Sequence, residues 1–120
     1  MKPRIDGTVF GSVTIGGEQY PHDVIIRLDG DVKKRKKKLS KAVYGTSHKI
    51  SLDEARHVYQ KGAERLIVGT GQIGLVELSP EAAKYFKRKR CTVDLMPTRK
   101  AVKAWNDASG AIIALLHVTC

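Results

Sequence analysis

The stretch that most constrains the fold is Ala111-Ile112-Ile113-Ala114-Leu115-Leu116, six apolar residues with no polar alternation. A strand with one face in water alternates polar and apolar side chains, whereas a strand covered on both faces does not. The run is therefore expected at the middle of a sheet with layers packed on both sides. Leu66-Ile67-Val68 is a second piece of this kind, inside a strand expected over residues 64–69. Between the two, Ser79-Pro80 opens a helix with serine at the N-cap and proline at the first helical position. A strand follows over residues 91–96, and Thr98 caps a further helix in which Ala101, Val102, Trp105 and Ala108 share one face. Strand, helix, strand, helix, strand calls for right-handed crossovers and a parallel core.

The N-terminal half reads differently. Ser12-Val13-Thr14-Ile15 alternates, Gly16-Gly17 is a two-residue hairpin signal, and Pro21 confines Glu18-Gln19-Tyr20 to an edge. Residues 23–28 form a clearer strand. Ser51-Leu52-Asp53-Glu54 has the form of a capping box, and the helix after it places Leu52, Ala55, Val58 and Tyr59 together before Gly62 stops it. The expected fold class is α/β: a three-layer sandwich around a mixed sheet, with the C-terminal strand central and antiparallel strands from the N-terminal half. The 120 residues suit one domain, 1–120, with no repeat and no linker long enough to divide it.

Composition narrows the function classes. No apolar run approaches the roughly 18–20 residues that cross a bilayer, and Met1-Lys2-Pro3-Arg4 lacks a signal-peptide core, so a cytoplasmic protein without membrane contact is expected. Cys91 and Cys120 are too few for a disulfide framework and lack metal-ligand spacing, so two reduced thiols and no metal are expected. A single asparagine and three glutamines beside 28% charged residues lean toward a thermophilic source. The net charge of +10 favours contact with anions.

Three features carry candidate chemistry. Gly69-Thr70-Gly71-Gln72 turns out of the expected buried strand, with Gly74 close behind. Glycine permits close backbone approach, and a loop at the carboxyl end of a central strand is a common ligand position. Neither GxGxxG nor a Walker sequence is present, so no nucleotide cofactor is implied. The second feature is Lys33-Lys34-Arg35-Lys36-Lys37-Lys38, six consecutive cations without interleaved aromatics. Such a run is expected to stay solvated, as a loop or hairpin arm, and is a candidate polyanion contact. The third is His48, in Tyr44-Gly45-Thr46-Ser47-His48, a turn cap or a ligand group.

Gly45-Thr46-Ser47-His48, the Gly69-Thr70-Gly71 turn, the helix carrying Thr98, Ala101 and Asn106, and the closing His117-Val118-Thr119-Cys120 together resemble the small Mth-type α/β domain family. That family includes the vertebrate adipogenesis-associated domain protein and a mitochondrial respiratory complex I assembly factor. The likeness spans nearly the whole chain and is greatest to the archaeal stand-alone members. It implies a three-layer fold around a mixed sheet with the last strand central. It implies no reaction and no cofactor. Trp105 stands where relatives usually carry tyrosine, so a role for a phenol hydroxyl there is not carried over.

If the strands ending near Gly69, Met96 and His117 point one way, Gly69, Thr70, Gly71, Gln72, Thr98 and His117 gather on one rim, with His48 as a further candidate. Free N–H groups after Thr98 would then favour an anion. The leading function is a binding module for a small anionic ligand or a protein partner at that rim, with no catalytic residue assigned. The alternatives are non-specific nucleic-acid binding through residues 33–38, and an enzyme using His48, His117, Cys120, Thr70 or Ser47. A histidine more than about 6 Å from any nucleophile would remove the enzyme reading.

Overall fold

The computed structural model describes residues 2–120. Its central sheet has five strands in the order β5-β4-β10-β7-β9. These are β4 (Val24–Ile26), β5 (Val32–Lys34), β7 (Arg65–Gly69), β9 (Thr92–Met96) and β10 (Ile112–Leu116). β10 and β9 run parallel to β7, while β4 is antiparallel to both β10 and β5. The sheet is mixed and the last strand is its middle one, as the apolar run requires. Strands β1 (Ile5–Val9), β2 (Ser12–Ile15) and β3 (Glu18–Tyr20) form a separate antiparallel sheet. Strands β6 (Lys49–Ile50) and β8 (Glu77–Leu78) make a short parallel pair.

Period-two alternation divides the core between the two faces of the sheet. Leu66, Val68, Ile113, Leu115 and Ile25 point to one face. There they pack with Ala55 and Val58 of α2 (Leu52–Val58) and with Ala82 and Phe86 of α3 (Pro80–Arg88). Ile67, Ile112, Ala114, Leu116, Val24 and Ile26 point to the other. There they meet Ala101 and Trp105 of α4 (Thr98–Asp107) and Ile5, Val13 and Ile15 of the antiparallel sheet. One outer layer is therefore helical, and the other is a helix beside a small sheet. Trp105 is a core anchor whose indole N–H donates to the Pro3 carbonyl at 2.8 Å. The neighbouring Asn106 amide clamps both the N–H and the C=O of Ile5.

Several local expectations are corrected. A helix not read from the sequence, α1 (Lys38–Tyr44), begins inside the basic run. It has no side-chain N-cap bond and no acid in its first turn, so the usual start signals are absent. The capping box is half-formed: Ser51 Oγ accepts from the Glu54 N–H, but the Glu54 carboxylate turns elsewhere and the Ser51 N–H donates to Ser40. That helix ends at Val58 rather than Gly62. Thr98 is the first residue of α4, not its cap; Pro97 holds the N-cap position.

Cys91 and Cys120 are both free. Cys91 precedes β9, whereas Cys120 follows β10, which runs in the same sense, so the two lie at opposite ends of the sheet. Five strand residues separate them by roughly 16 Å, far beyond disulfide reach. Burial pushes the Cys91 thiol up to about 11. Among the described residues no helix is long and apolar enough to cross a membrane.

Leu115 lies wholly buried on the middle strand. Leu115→Ala is expected to lower the unfolding free energy by about 2–5 kcal/mol, read as a lower urea midpoint with an unchanged slope.

Candidate functional site

The carboxyl ends of β7, β9 and β10 meet at one rim, and the sequence-predicted residues meet with them. The His117 N–H donates to the Gly69 carbonyl at 2.9 Å. The Thr98 hydroxyl donates to the His117 carbonyl at 2.6 Å and accepts from the Gly71 N–H at 2.9 Å. The Thr98 N–H donates to the Gly71 carbonyl at 3.1 Å. The His48 ring packs edge-on to the His117 ring, with centroids 5.4 Å apart.

The turn does not leave its N–H groups bare. Its N–H groups are used internally: Thr70 donates to the Met96 carbonyl, Gly71 to Thr98, and Gln72 to the Thr119 carbonyl. The Gln72 amide reaches Thr8 and the carbonyl of Val9 in the hairpin turn. Leu75 N–H closes on the Cys120 carbonyl. The loop is a clasp around the C-terminal tail, and the Thr98 hydroxyl is its pin. Gly71 sits at φ +108°, and a Cβ there would lie 2.4 Å from the Cys120 carbonyl and 2.8 Å from the His117 ring.

A second cluster lies beside this rim, and sequence reading missed most of it. Arg35, third in the basic run, is 3% exposed. Its guanidinium forks onto Glu54, with Nε donating to Oε2 at 2.6 Å and Nη2 to Oε1 at 3.0 Å. Nη1 donates to Asp23 Oδ2 at 2.9 Å, and Nη2 also donates to the Ser47 carbonyl at 2.7 Å. The guanidinium geometry matches a carboxylate bidentately, which suits it to such a buried pair. Ser40 Oγ completes Glu54, donating to Oε1 while accepting from the Ser51 N–H. The expectation that Arg35 is solvated and contacts a polyanion is thus corrected: its charge is neutralised inside.

Asp23 joins this cluster to the rim. Its Oδ1 accepts from the Val118 N–H at 2.9 Å, and Oδ2 lies 2.6 Å from His117 Nδ1. Burial alone would raise the Asp23 carboxyl, but the hydrogen bonds from His117, Val118 and Arg35 outweigh it and hold the group at about 2. The carboxylate is therefore ionised, and Nδ1 of His117 carries the proton it accepts. The other nitrogen, Nε2, lies 3.3 Å from the Thr119 hydroxyl. The distance criterion therefore does not remove the enzyme reading, and the hydroxyl within reach, that of Thr119, is not among those named from sequence.

Above this cluster opens a cleft of about 600 Å³ lined by His22, Asp23, Lys34, Lys36, Lys37, Lys38 and Thr119, among others. Lys33 is not in this lining; it pairs with Asp31 at 3.3 Å. The Lys37 ammonium stands 3.7 Å from Asp23, so one of the four lysines balances the buried carboxylate. Three lysines remain against no further acid in the lining. No group of described residues has the composition of a metal site.

Residues 5–116 match the model of a family described as protein of unknown function, DUF498/DUF598. The chain is similar to the solved structure of the conserved hypothetical protein PH1505 from Pyrococcus horikoshii OT3, with 34% identity and a TM-score of 0.88 over 98% of this chain and 99% of that one. It is similar to a protein designated MT938, with 33% identity and a TM-score of 0.82 over 99% and 100%. A Mth938-like domain protein from Bordetella pertussis shares the fold at 14% identity and a TM-score of 0.66, over 97% and 85%. The Mth-type resemblance read from the sequence is the same family relationship.

The rim generates two expectations for stability. A folded-state pKa of about 2 against an ordinary 3.8 makes Asp23 stabilising above pH 3.8. The contribution is about 2 kcal/mol at neutral pH and is lost as pH falls through 2. Urea unfolding at pH 7 and pH 3 is expected to show a drop in wild type that shrinks in Asp23→Asn. Gly71→Ala is expected to cost about 2–4 kcal/mol from left-handed strain and overlap, read by thermal denaturation, while Gly17→Ala, at an open turn, costs less.

Proposed function

Since the chain belongs to the DUF498/DUF598 family, whose description assigns no activity, we propose from its own geometry that it is a binding module for a small anionic molecule. The seat is the lysine cleft at the β4/β5 end of the rim. The observation that carries this reading is a concave site with three uncompensated lysines, His22 and the Thr119 hydroxyl above a rigid, ion-paired floor. A concave site with convergent cations raises the local concentration of anions more than scattered surface lysines do. The buried network supports it by fixing the chain between the lysines: Arg35 is locked, so Lys34 and Lys36 are held at its flanks. A phosphate monoester or a short dicarboxylate matches the size and charge. The glycine turn serves this site indirectly, by fixing the tail that carries Thr119.

The same lysines could instead follow a polymer backbone, and salt dependence separates the two. A polymer releases several counterions and loses affinity steeply with salt. A small anion has few to release.

Inorganic phosphate and succinate are expected to raise the melting temperature in a saturable way. A ligand at a hundred times its Kd stabilises by about 2.7 kcal/mol. Lys36→Ala and Lys38→Ala should weaken the shift, and Lys84→Ala on α3 should not. Equal shifts from potassium chloride at matched ionic strength, or unchanged shifts in the cleft variants, would refute the reading. A short oligonucleotide that binds more tightly, with steep salt dependence, would favour the polymer.

A further inference from the structure

Asp23, His117 and Thr119 form a line of contacts that the binding reading does not use. Asp23 Oδ2 lies 2.6 Å from Nδ1 of the imidazole, and Nε2 on the far side lies 3.3 Å from the Thr119 hydroxyl. The carboxylate fixes the tautomer: Nδ1 donates, so in the neutral ring Nε2 is the acceptor and Thr119 Oγ1 the donor. This is the arrangement of carboxylate, imidazole and hydroxyl that activates an oxygen nucleophile. Asp23 is itself pinned by Arg35 and the Val118 N–H, and the ring is held by the His117 N–H bond to Gly69 and by His48 edge-on. The members are thus oriented before any ligand arrives. Asp23 and His117 are buried, while Thr119 is partly exposed and lines the lysine cleft.

The geometry points to Thr119 as the nucleophile of an ester hydrolase, with His117 as its general base, Asp23 as the group that orients His117, and carboxylic esters whose acyl part ends in a carboxylate as substrates. The choice of substrate rests on the anion reading above; the nucleophile does not. Thr119 Oγ1 bonds to the ester carbonyl carbon as its proton passes to His117 Nε2. The tetrahedral adduct collapses with cleavage of the bond to the alcohol oxygen, and the imidazolium returns the proton to that oxygen. Water then adds to the acyl-threonine, giving its proton to His117, and Thr119 leaves as the free hydroxyl on taking that proton back. The products are the free acid and the alcohol. The cleft lysines hold the distal carboxylate, which places the carbonyl over the tail.

The test uses the full chain with the 4-nitrophenyl half-ester of fumaric acid, whose trans carboxylate cannot close onto its own ester, and, as a neutral match, 4-nitrophenyl crotonate. The expected result is 4-nitrophenolate release above the protein-free rate and faster for the half-ester, with a fumaryl group trapped on Thr119 when the reaction is quenched and mapped by mass spectrometry. Thr119→Val removes the hydroxyl while keeping shape, and its backbone bond to Gln72 is untouched. It should fold with the wild-type urea midpoint and lose release by at least about 100-fold, and Thr119→Ser should restore it. His117→Gln should fall similarly. Equal release by Thr119→Val, or acyl groups found on lysines instead, would overturn the assignment. No release while succinate still stabilises the protein would overturn it and leave the anion site standing. Release through Thr119 without stabilisation by succinate would support the nucleophile and refute the anion site.

Discussion

One buried guanidinium organises this half of the molecule. Arg35 directs four N–H bonds to Glu54, Asp23 and the Ser47 carbonyl. Through them it joins the end of β5 to the residue before β4, the loop after α1 and the first turn of α2. Each carboxylate is completed in turn, Glu54 by Ser40 and Asp23 by Val118 and His117. A buried ion pair offsets its desolvation only when its hydrogen bonds are made this fully. The consequence is specificity of arrangement: any slip of β5 by one residue would put a lysine inside and strand two carboxylates.

Two consequences meet at the rim. The basic run cannot behave as a free arm, because its third residue is anchored in the interior. The lysines on either side are held as the walls of a cleft. Independently, the glycine turn clasps the C-terminal tail through Thr98 and brings His117 against Asp23. The lysine cleft and the Asp23–His117–Thr119 line share Asp23 and Thr119, so the same folding event builds both.

Much of the scaffold was legible. The unalternated run on β10 announced a strand covered on both faces, Ser79-Pro80 announced the start of α3, and Trp105 lies in the core where its helical face put it. The meeting of Gly71, Thr98 and His117 was readable from strand direction alone. The use made of that meeting was not. Local pattern says that glycine N–H groups can be offered, but only the tail's path shows that they are taken. Arg35 was hidden by its neighbours: five lysines around it read as solvent, and its partners lie 12 residues before and 19 after. A signal was present in Glu54, which stands four residues before Val58 and so shares the apolar face of α2. A buried acid at that spacing calls for a cation. Being the one arginine among lysines was the complementary hint. Asp23, just before the apolar Val24-Ile25-Ile26, was a second acid of the same kind.

Arg35 is interior and its neighbours exterior, and equilibrium urea unfolding of Arg35→Ala beside Lys34→Ala and Lys36→Ala reads that difference. Arg35→Ala is predicted to lose about 3–5 kcal/mol or fail to fold, because it leaves the buried Glu54 carboxylate without its cation and strips a charge-assisted bond from Asp23. The two lysine variants are predicted to stay within about 0.5 kcal/mol of wild type. Three variants of equal stability would contradict this arrangement, returning Arg35 to the surface and removing the floor from the cleft.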